Sequence, residues 1–355
     1  MPKVVQEKLK PKKLHKEMEA VRQTGRDLTL TEHLKANYDN MSADAYYAEL
    51  DVDPTAVSIG QVLDRQDESV RWLVPEIFRD AIRKGFINSP IYRDFIIREE
   101  TTPQPTQVAP FWDTTAINNA PQPLGAGESM ELGSLKYGQK TVHISKTGIG
   151  IEIVDEAIRY TNISLLSLFL QDVGIKLASS LTRELINVLI NGDQSDGSEA
   201  AGTVGVVTAG TMEWNDFIKV FVRGGLRNRR WYKTIGNEAT VNFMMDMPEF
   251  RMSNKLANPE LRMNVKTPGV LPSALDVYVH SSVPNNQLIM VDTDLAAVQL
   301  TSMPLTVESD RIVQRQLNGT YVSLTTGFMN IFSDARVILD RSVTTDFPAS
   351  LAPLF

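Results

Sequence analysis

The sequence predicts a protein of the α+β class, in which helices and strands occupy different stretches of the chain. Three observations carry this prediction: one long leucine-rich helix near the middle, short alternating strands before and after it, and a long stretch rich in proline and glycine. The chain has 355 residues, of which 42% are apolar. A chain of this length and composition has enough apolar surface for a large core.

Composition excludes several kinds of chemistry. The chain contains no cysteine, so disulfide bonds, thiolate nucleophiles, cysteine zinc sites and iron–sulfur clusters are excluded. The four histidines stand far apart in the sequence and lack the spacing of a zinc enzyme. No apolar run predicts an export signal or a membrane-spanning helix, because the most apolar stretch is interrupted by Asp172 and Lys176.

The N-terminal end is basic, although the whole chain has a net charge of −7. Residues 1–26 contain eight Lys or Arg against three Glu. Such a segment either contacts a phosphate backbone or an acidic partner, or is simply a solvated helix face. The candidate residues for such a contact are Lys8, Lys10, Lys12, Lys13 and Lys16. We expect this end of the chain to be docked as an arm.

Residues 27–88 show the start and stop signals of short helices. In chain order these are a capping box at Thr29 and Glu32, an N-cap at Asp53 followed by Pro54, and a helix between Pro75 and Gly85. Apolar residues are sparse here, so the helices are expected to lie against another domain or another chain.

Residues 101–138 hold a density of proline and glycine that neither a helix nor a central strand tolerates. A loop of this length is usually functional. Its large apolar residues would be costly to expose, and we therefore predict an interface element. The candidate contact residues within it are Phe111, Trp112, Leu132 and Tyr137.

Strands and the long helix follow the loop. Val142 and Ile144, and then Ile149, Ile151 and Ile153, alternate as in strands. From about residue 162, leucine and valine recur at spacings of three and four until Gly192. This pattern predicts one helix over residues 162–191, with a buried leucine stripe.

The last third of the chain mixes helices and strands. The predicted elements are a helix from Asn215 to Leu226 and strands at Val241–Met245, Val277–Val279, Leu288–Val291, Thr320–Leu324 and Ala335–Leu339. Arg227, Arg229 and Arg230 precede Trp231 and form the densest internal basic cluster. They either bind phosphates or the carboxylates of a neighbouring subunit, or complement a helix end.

No motif predicts an enzyme, and no cofactor or metal is expected. The stretch from Gly133 to Thr141 misses the phosphate-binding P-loop because Gln139 stands where lysine is required. The stretch also leads into a strand, whereas phosphate binding needs the start of a helix. No serine elbow and no paired carboxylates are evident.

Two stretches have a characteristic order of elements. Between Lys140 and Gly192 a loop strand leads to a strand with Ile151 and Ile153, then to the acidic Asp155 and Glu156, and then to the long helix. Between Val277 and Asp292 a strand, a turn at Pro284 and a second strand ending in aspartate follow. A third stretch, Phe243-Met244-Met245, has an aromatic residue followed by apolar residues, as in a predicted strand.

This order resembles that of the major capsid proteins of tailed bacteriophages, which have the Hong Kong phage-type capsid fold. The resemblance covers roughly residues 75 to 340. It implies an N-terminal arm at 1–88, an extended β-hairpin loop at 99–146 and an axial domain at 212–310. It also implies a peripheral domain built from 89–98, 147–211 and 311–355, with the spine helix at 162–191.

The resemblance further implies function and partners. A protein of this kind self-assembles through hexamers and pentamers into an icosahedral or prolate shell around a double-stranded DNA genome. It is part of the virion capsid and is assembled in the cytoplasm of the host bacterium. Portal, scaffolding and decoration proteins are possible partners, DNA contact is weak and non-specific, and no membrane is involved. The alternatives are an encapsulin-like shell around cargo protein and, less well supported, a soluble α+β enzyme with no readable active site.

Overall fold

The computed structural model describes residues 11–23, 29–38, 41–50, 73–88, 91–113, 134–195, 199–226, 229–247, 275–312 and 317–346. The chain forms two compact units. Unit 1 consists of Met1–Pro90, Lys146–Ser180 and Met303–Thr325, and unit 2 of Ile91–Ser145, Leu181–Ser302 and Thr326–Phe355. The boundaries expected for arm, loop, peripheral domain and axial domain stay predictions.

Helices and strands are mixed, which confirms the predicted α+β class. The helices are α1 (Pro11–Gln23), α2 (Leu30–Asn37), α3 (Ala43–Glu49), α4 (Leu73–Asn88), α5 (Asp155–Tyr160), α6 (Ile163–Asn191), α7 (Trp214–Leu226) and α8 (Glu238–Asp246). The strands are β1 (Ile96–Thr101), β2 (Thr106–Asp113), β3 (Ser134–His143), β4 (Ser145–Val154), β5 (Gly202–Gly205), β6 (Lys233–Gly236), β7 (Asp276–Val279), β8 (Gln287–Val291), β9 (Ala297–Ile312), β10 (Leu317–Asn330) and β11 (Arg336–Asp340). Short 3₁₀ helices cover Ile91–Phe95 and Ser333–Ala335.

The N-terminal helices of unit 1 are held together by capping and by buried polar contacts. The predicted capping box is confirmed, because Thr29 and Glu32 each accept a hydrogen bond from the other's backbone N–H. The Tyr38 hydroxyl donates to Glu17 of α1 at 2.6 Å. Burial and this carboxylate raise the pKa of Tyr38 to about 12. Helix α1 is therefore docked, as expected for an arm; Asp53 and Pro54 lie outside the described residues.

Helices α4 and α6 touch backbone to backbone. A β-carbon at Gly174 would lie 2.1 Å from the carbonyl oxygen of Ile82, and one at Gly85 would lie 2.0 Å from that of Gln171. The prediction that the helix ends before Gly85 is wrong, since α4 continues to Asn88. The glycine is present because only a residue without a side chain permits this close approach.

The long helix is confirmed as α6, with 29 residues. Its predicted stripe is buried within the protein at Leu166, Leu170, Leu177, Leu181 and Leu185. Among the described helices, α6 is the one whose length and composition would permit a membrane crossing. The buried stripe is typical instead of a core helix, which passes the same test of composition.

A four-stranded sheet has the order β1-β9-β10-β4. Strand β1 runs parallel to β9, with Glu100 opposite Leu300. In β4 the half-buried Ile149, Ile151 and Ile153 alternate with exposed residues, which confirms the predicted period of two. Strand β10 contains the predicted strand at residues 320–324 and extends beyond it on both sides.

Unit 2 is built around a five-stranded sheet with the order β5-β11-β8-β6-β7. Every residue of β11 is buried, and this strand pairs parallel to β5 and antiparallel to β8. Phe217 and Val220 of α7 and Met244 of α8 belong to the same apolar cluster as these strands. The predicted helix at 215–226 and the strands at 277–279, 288–291 and 335–339 are confirmed.

One predicted strand is wrong. Residues Val241–Met245 belong to helix α8. The Asn237 side chain caps this helix by accepting a hydrogen bond from the backbone N–H of Ala239 at 3.3 Å. Val241 and Met244 are buried while Phe243 is half exposed, which is helical rather than alternating burial. A short apolar run is ambiguous by periodicity alone, and here packing against the sheet selects the helix.

Candidate assembly interface

The loop predicted as an interface element is a β-hairpin of unit 2. Strands β2 and β3 pair antiparallel from Thr106 opposite His143 to Asp113 opposite Ser134. They form a two-stranded sheet of their own. The proline at position 110 is accommodated because the register shifts between Val108 and Pro110. Proline is tolerated at such an irregularity, where no ladder hydrogen bond is lost.

The base of the hairpin is packed into unit 2. Ala109 and Val142 are buried in one apolar cluster with Val298, Leu300 and Met329. Backbone hydrogen bonds reinforce this packing: the N–H of Thr102 donates to the carbonyl of Thr301 at 3.0 Å, and that of Ile144 donates to Pro105 at 3.2 Å. The base of the hairpin is therefore held in a fixed position within unit 2.

Further along the hairpin, β3 is exposed. Tyr137 has 79% of its surface accessible and lies opposite Pro110 in the ladder. Lys136, Gln139 and Lys140 are exposed as well. An exposed tyrosine combines apolar contact area with a hydrogen-bonding hydroxyl, which is typical of protein–protein contact surfaces.

The other predicted loop contacts are only partly described. Phe111 and Trp112 lie in β2, where their backbones pair with Lys136 and Leu135. The structure thus brings Phe111, Trp112 and Tyr137 onto neighbouring strands of one hairpin. Leu132 lies outside the described residues, as does the rest of the stretch from 114 to 133.

The described arginines of the cluster contact residues of their own chain. Arg229 makes a bidentate contact with Asp334, at 3.0 and 2.9 Å, and its guanidinium lies over the Phe332 ring. Arg230 is exposed, and its guanidinium lies 3.5 Å from the Tyr232 hydroxyl. Arg227 is outside the described residues. A role for these three in subunit contacts stays a prediction.

The arm lysines are partly described. Lys13 and Lys16 lie in α1 and are exposed, and Lys13 is 3.9 Å from Glu17. Lys12 belongs to the same helix, whereas Lys8 and Lys10 lie before the described residues. Two exposed cations one turn apart leave a solvent-facing basic surface on α1.

Unit 1 contains a cavity of about 860 Å³ between its N-terminal helices and the first turns of α6. Asp80 lines it, and Thr31 donates to this carboxylate through its backbone N–H at 3.3 Å and through its hydroxyl. Burial raises the pKa of Asp80, although the Thr31 bonds lower it. The described lining holds no histidine, and no group of three or more potential metal ligands occurs in the described part of the chain.

The pattern of leucines on α6 contains a second apolar face that the predicted stripe does not include. Leu165, Leu168 and Phe169 are more than half exposed, although they lie within the most apolar part of the helix. The signal was available in the sequence as apolar residues off the three-and-four spacing. The sequence alone does not show which face is covered.

Comparison with known proteins identifies the fold. No protein-family model matches the chain, and no curated protein matches its sequence. A phage-related protein from Bordetella bronchiseptica RB50 aligns with a TM-score of 0.53 at 9% identity, covering 75% of this chain and 96% of that one. The capsid of an empty gene transfer agent (GTA) particle aligns with a TM-score of 0.51 at 14% identity, covering 72% and 97%. The chain has the Hong Kong phage-type capsid fold.

Proposed function

We propose that this protein is a major capsid protein that assembles through hexamers and pentamers into an icosahedral or prolate shell around a double-stranded DNA phage genome. The observation that carries the proposal is a hairpin with a fixed base and an exposed tyrosine, Tyr137, in a chain that has a capsid fold. The protein acts by binding copies of itself, without catalysis and without a cofactor.

The hairpin supports this function because its base is buried while the strand beyond the base is exposed. Its base is buried with Val142 in the core of unit 2, while Tyr137 is exposed five residues earlier in the same strand. An exposed tyrosine on an extended strand pair provides a large contact area at a small loss of side-chain entropy. A neighbouring subunit that covers Tyr137 would bury this surface.

Assembly through such hairpins favours a closed shell. Each contact is modest, and a subunit held by several neighbours gains stability from multivalency rather than from one tight contact. Modest contacts dissociate fast enough for misplaced subunits to leave during growth. The acidic body and the basic arm fit a shell that contacts DNA weakly, through residues such as Lys13 and Lys16.

The proposal is tested by expressing the full chain and examining it by sedimentation and negative-stain electron microscopy. We expect hollow particles or capsomers at micromolar concentration, and DNA inside particles that form in infected bacteria. A chain that stays monomeric in every buffer and forms no particles in cells contradicts the proposal. Particles filled with protein instead of DNA would favour the nanocompartment alternative.

A further inference from the structure

We infer that the exposed apolar face of α6 pairs with the same face of a second copy of this chain. The inference rests on the proposed shell function and adds a contact surface separate from the hairpin. The surface, called here the α6 patch, consists of Leu165, Leu168, Phe169 and Ile175, together with the charged Asp172 and Lys176.

The α6 patch is continuous along the helix. At 100° per residue, its six members fall within an arc of about 120° on one side of the helix. Leu165, Leu168, Phe169 and Ile175 are 51%, 61%, 64% and 41% exposed. The buried leucine stripe with Leu170 and Leu177 lies on the other side, so α6 has two apolar faces, of which the described part of the chain covers one.

The second half of the same helix provides an internal comparison. On the same arc there, the exposed residues Ser179, Arg183 and Asn187 are polar, while the apolar Ile186 is 2% exposed. A surface that only meets water is expected to be polar, as the exposed residues of this half are. The exposed apolar residues of the arc are confined to the first half, which indicates that this half is covered by something beyond the described chain.

Charge favours a second copy as the occupant. Asp172 and Lys176 form an ion pair at 2.7 Å, and both side chains are more than half exposed. The patch therefore carries one charge of each sign and no net charge. In a two-fold pairing each subunit presents the same surface, so a patch without net charge brings no net repulsion to the contact and can place opposite charges face to face.

The area argues for a contact that forms within an assembly. The four apolar side chains present on the order of 400 Å² per subunit, given that an aromatic residue buries roughly 150–250 Å². Stable pairs usually bury about 800 Å² per partner. The α6 patch supplies about half of that, so it should pair when other contacts bring two subunits together and should not hold a free dimer.

The absence of cysteine from the chain allows a direct test. A single Leu168→Cys substitution in the full chain, treated in assembled particles with a short bismaleimide, should convert most chains to a covalent dimer. Asn187→Cys is the matched control, because it lies on the polar half of the same exposed arc. It should remain monomeric under the same treatment. Thermal melting of both variants checks that the fold is retained.

A second variant tests the apolar character of the patch. Leu168→Ser combined with Phe169→Ser should reduce particle yield roughly tenfold, because every subunit loses the contact, while the melting temperature of the unassembled chain stays within a few degrees of the unsubstituted value. Asn187→Ser should leave particle yield unchanged.

The outcomes separate this inference from the shell proposal. Particles in which Leu168→Cys gives no dimer overturn the α6 pairing and leave the shell function standing. Cross-linked dimers from a chain that assembles only into smaller oligomers and never into particles support the pairing and contradict the shell. Absence of the dimer together with flotation on phosphatidylglycerol vesicles, lost in the double serine variant, would identify a lipid surface as the occupant and overturn the pairing.

Discussion

At the residue scale, two glycines decide how closely two helices of unit 1 approach. The space that a β-carbon at Gly174 would occupy lies 2.1 Å from the Ile82 carbonyl oxygen and 2.7 Å from the Phe86 nitrogen. Both neighbours are backbone atoms, so neither can move away as a flexible side chain would. The helices would have to separate, and the packing around the crossing would loosen.

We therefore expect Gly174→Ala to destabilise the protein by about 3 kcal/mol, although alanine favours a helix. The measurement is the free energy of unfolding of the unassembled chain in urea. Gly225→Ala is the control, because a β-carbon there meets nothing within 4 Å. It should change stability by less than about 1 kcal/mol; equal losses in both variants would mean that the crossing is not tight.

A second residue-scale feature is the carboxylate of Asp346, which closes a polar cluster in unit 2. It accepts hydrogen bonds from Lys219 at 2.9 Å, from the backbone N–H of Gly205 at 3.0 Å and from Arg223. Burial alone would raise the pKa of Asp346, but these hydrogen bonds outweigh it and lower the pKa from 3.8 to about 2. The charged form is thus favoured by folding.

The lowered pKa of Asp346 predicts a stability loss in acid. The contribution is fully present above about pH 5, where the carboxylate is ionised in folded and unfolded chains alike, and it is lost progressively as the pH falls towards 2. We expect about 1–2 kcal/mol after allowance for solvent screening. Urea unfolding of the wild type and Asp346→Asn between pH 5 and pH 2 measures it. A difference between the two that stays constant over this range contradicts the prediction.

At the element scale, α6 is a helix with one covered and one exposed apolar face. Leu170 is 1% exposed, whereas Leu168 is 61% exposed. The two residues have the same side chain, the same helix propensity and nearly the same place in the sequence. Any difference between substitutions at these positions therefore reports burial alone.

Leu170→Asp should place an unpaired carboxylate in the core and cost several kcal/mol, so that the chain is insoluble or unfolded. Leu168→Asp is the control and should change the free energy of unfolding by less than about 1 kcal/mol. Solubility and thermal melting distinguish the two. A Leu170→Asp chain with the wild-type melting temperature would mean that the stripe does not belong to the core.

The hairpin is the second element whose parts have separable roles. Deletion of most of the proline- and glycine-rich stretch, residues 104 to 132, would disrupt the fold, because β2 pairs with β3 along its length and Ala109 is part of the buried cluster. A cut at the point where Asp113 faces Ser134 is compatible with the ladder. A short Asn-Gly turn there suits an antiparallel strand pair.

Replacing residues 114–133 by Asn-Gly should leave folding intact and prevent assembly. The base of the hairpin keeps its packing, while the chain loses residues that include the predicted contact residue Leu132. Circular dichroism and thermal melting follow the fold, and particle counts by microscopy follow assembly. Normal particles from the shortened chain would contradict the interface role, and an unfolded chain would assign the removed segment to the core.

At the scale of the whole molecule, charge is distributed unevenly between residues 1–26 and the rest of the chain. Residues 1–26 carry the local excess of lysine and arginine, whereas the chain as a whole has a net charge of −7. Cations grouped at one end of an acidic chain allow limited contact with a polyanion without tight binding over the whole surface.

Substituting Lys8, Lys10, Lys12, Lys13 and Lys16 by glutamine should weaken binding of the unassembled chain to double-stranded DNA. The slope of log affinity against log salt should fall by up to about 0.9 for each lysine that contacts a phosphate. Fluorescence anisotropy at several salt concentrations measures the slope. Lys146→Gln with Lys176→Gln, both exposed outside the arm, should leave it unchanged; an unchanged slope in the arm variant would contradict genome contact.

Local signals in the sequence determined the class of fold, the long helix, the capping box at Thr29 and most strands. Each of these depends on neighbours within one or two turns or on a period of two or 3.6 residues, and such short-range preferences act in the unfolded chain as well. The absence of cysteine likewise excluded whole classes of chemistry without any structure. The order of these elements was enough to predict the capsid fold.

Only the tertiary structure decided the points that depend on distant residues. Val241–Met245 is helical because Asn237 caps it and the sheet covers Val241 and Met244. Gly85 lies inside a helix because Gln171 occupies the space that a side chain would fill. The leucines of α6 divide into buried and exposed faces according to what packs against them. Burial depends on contacts between residues that are far apart in the chain. The sequence pattern therefore contains two apolar faces, and the tertiary packing determines which of them is buried.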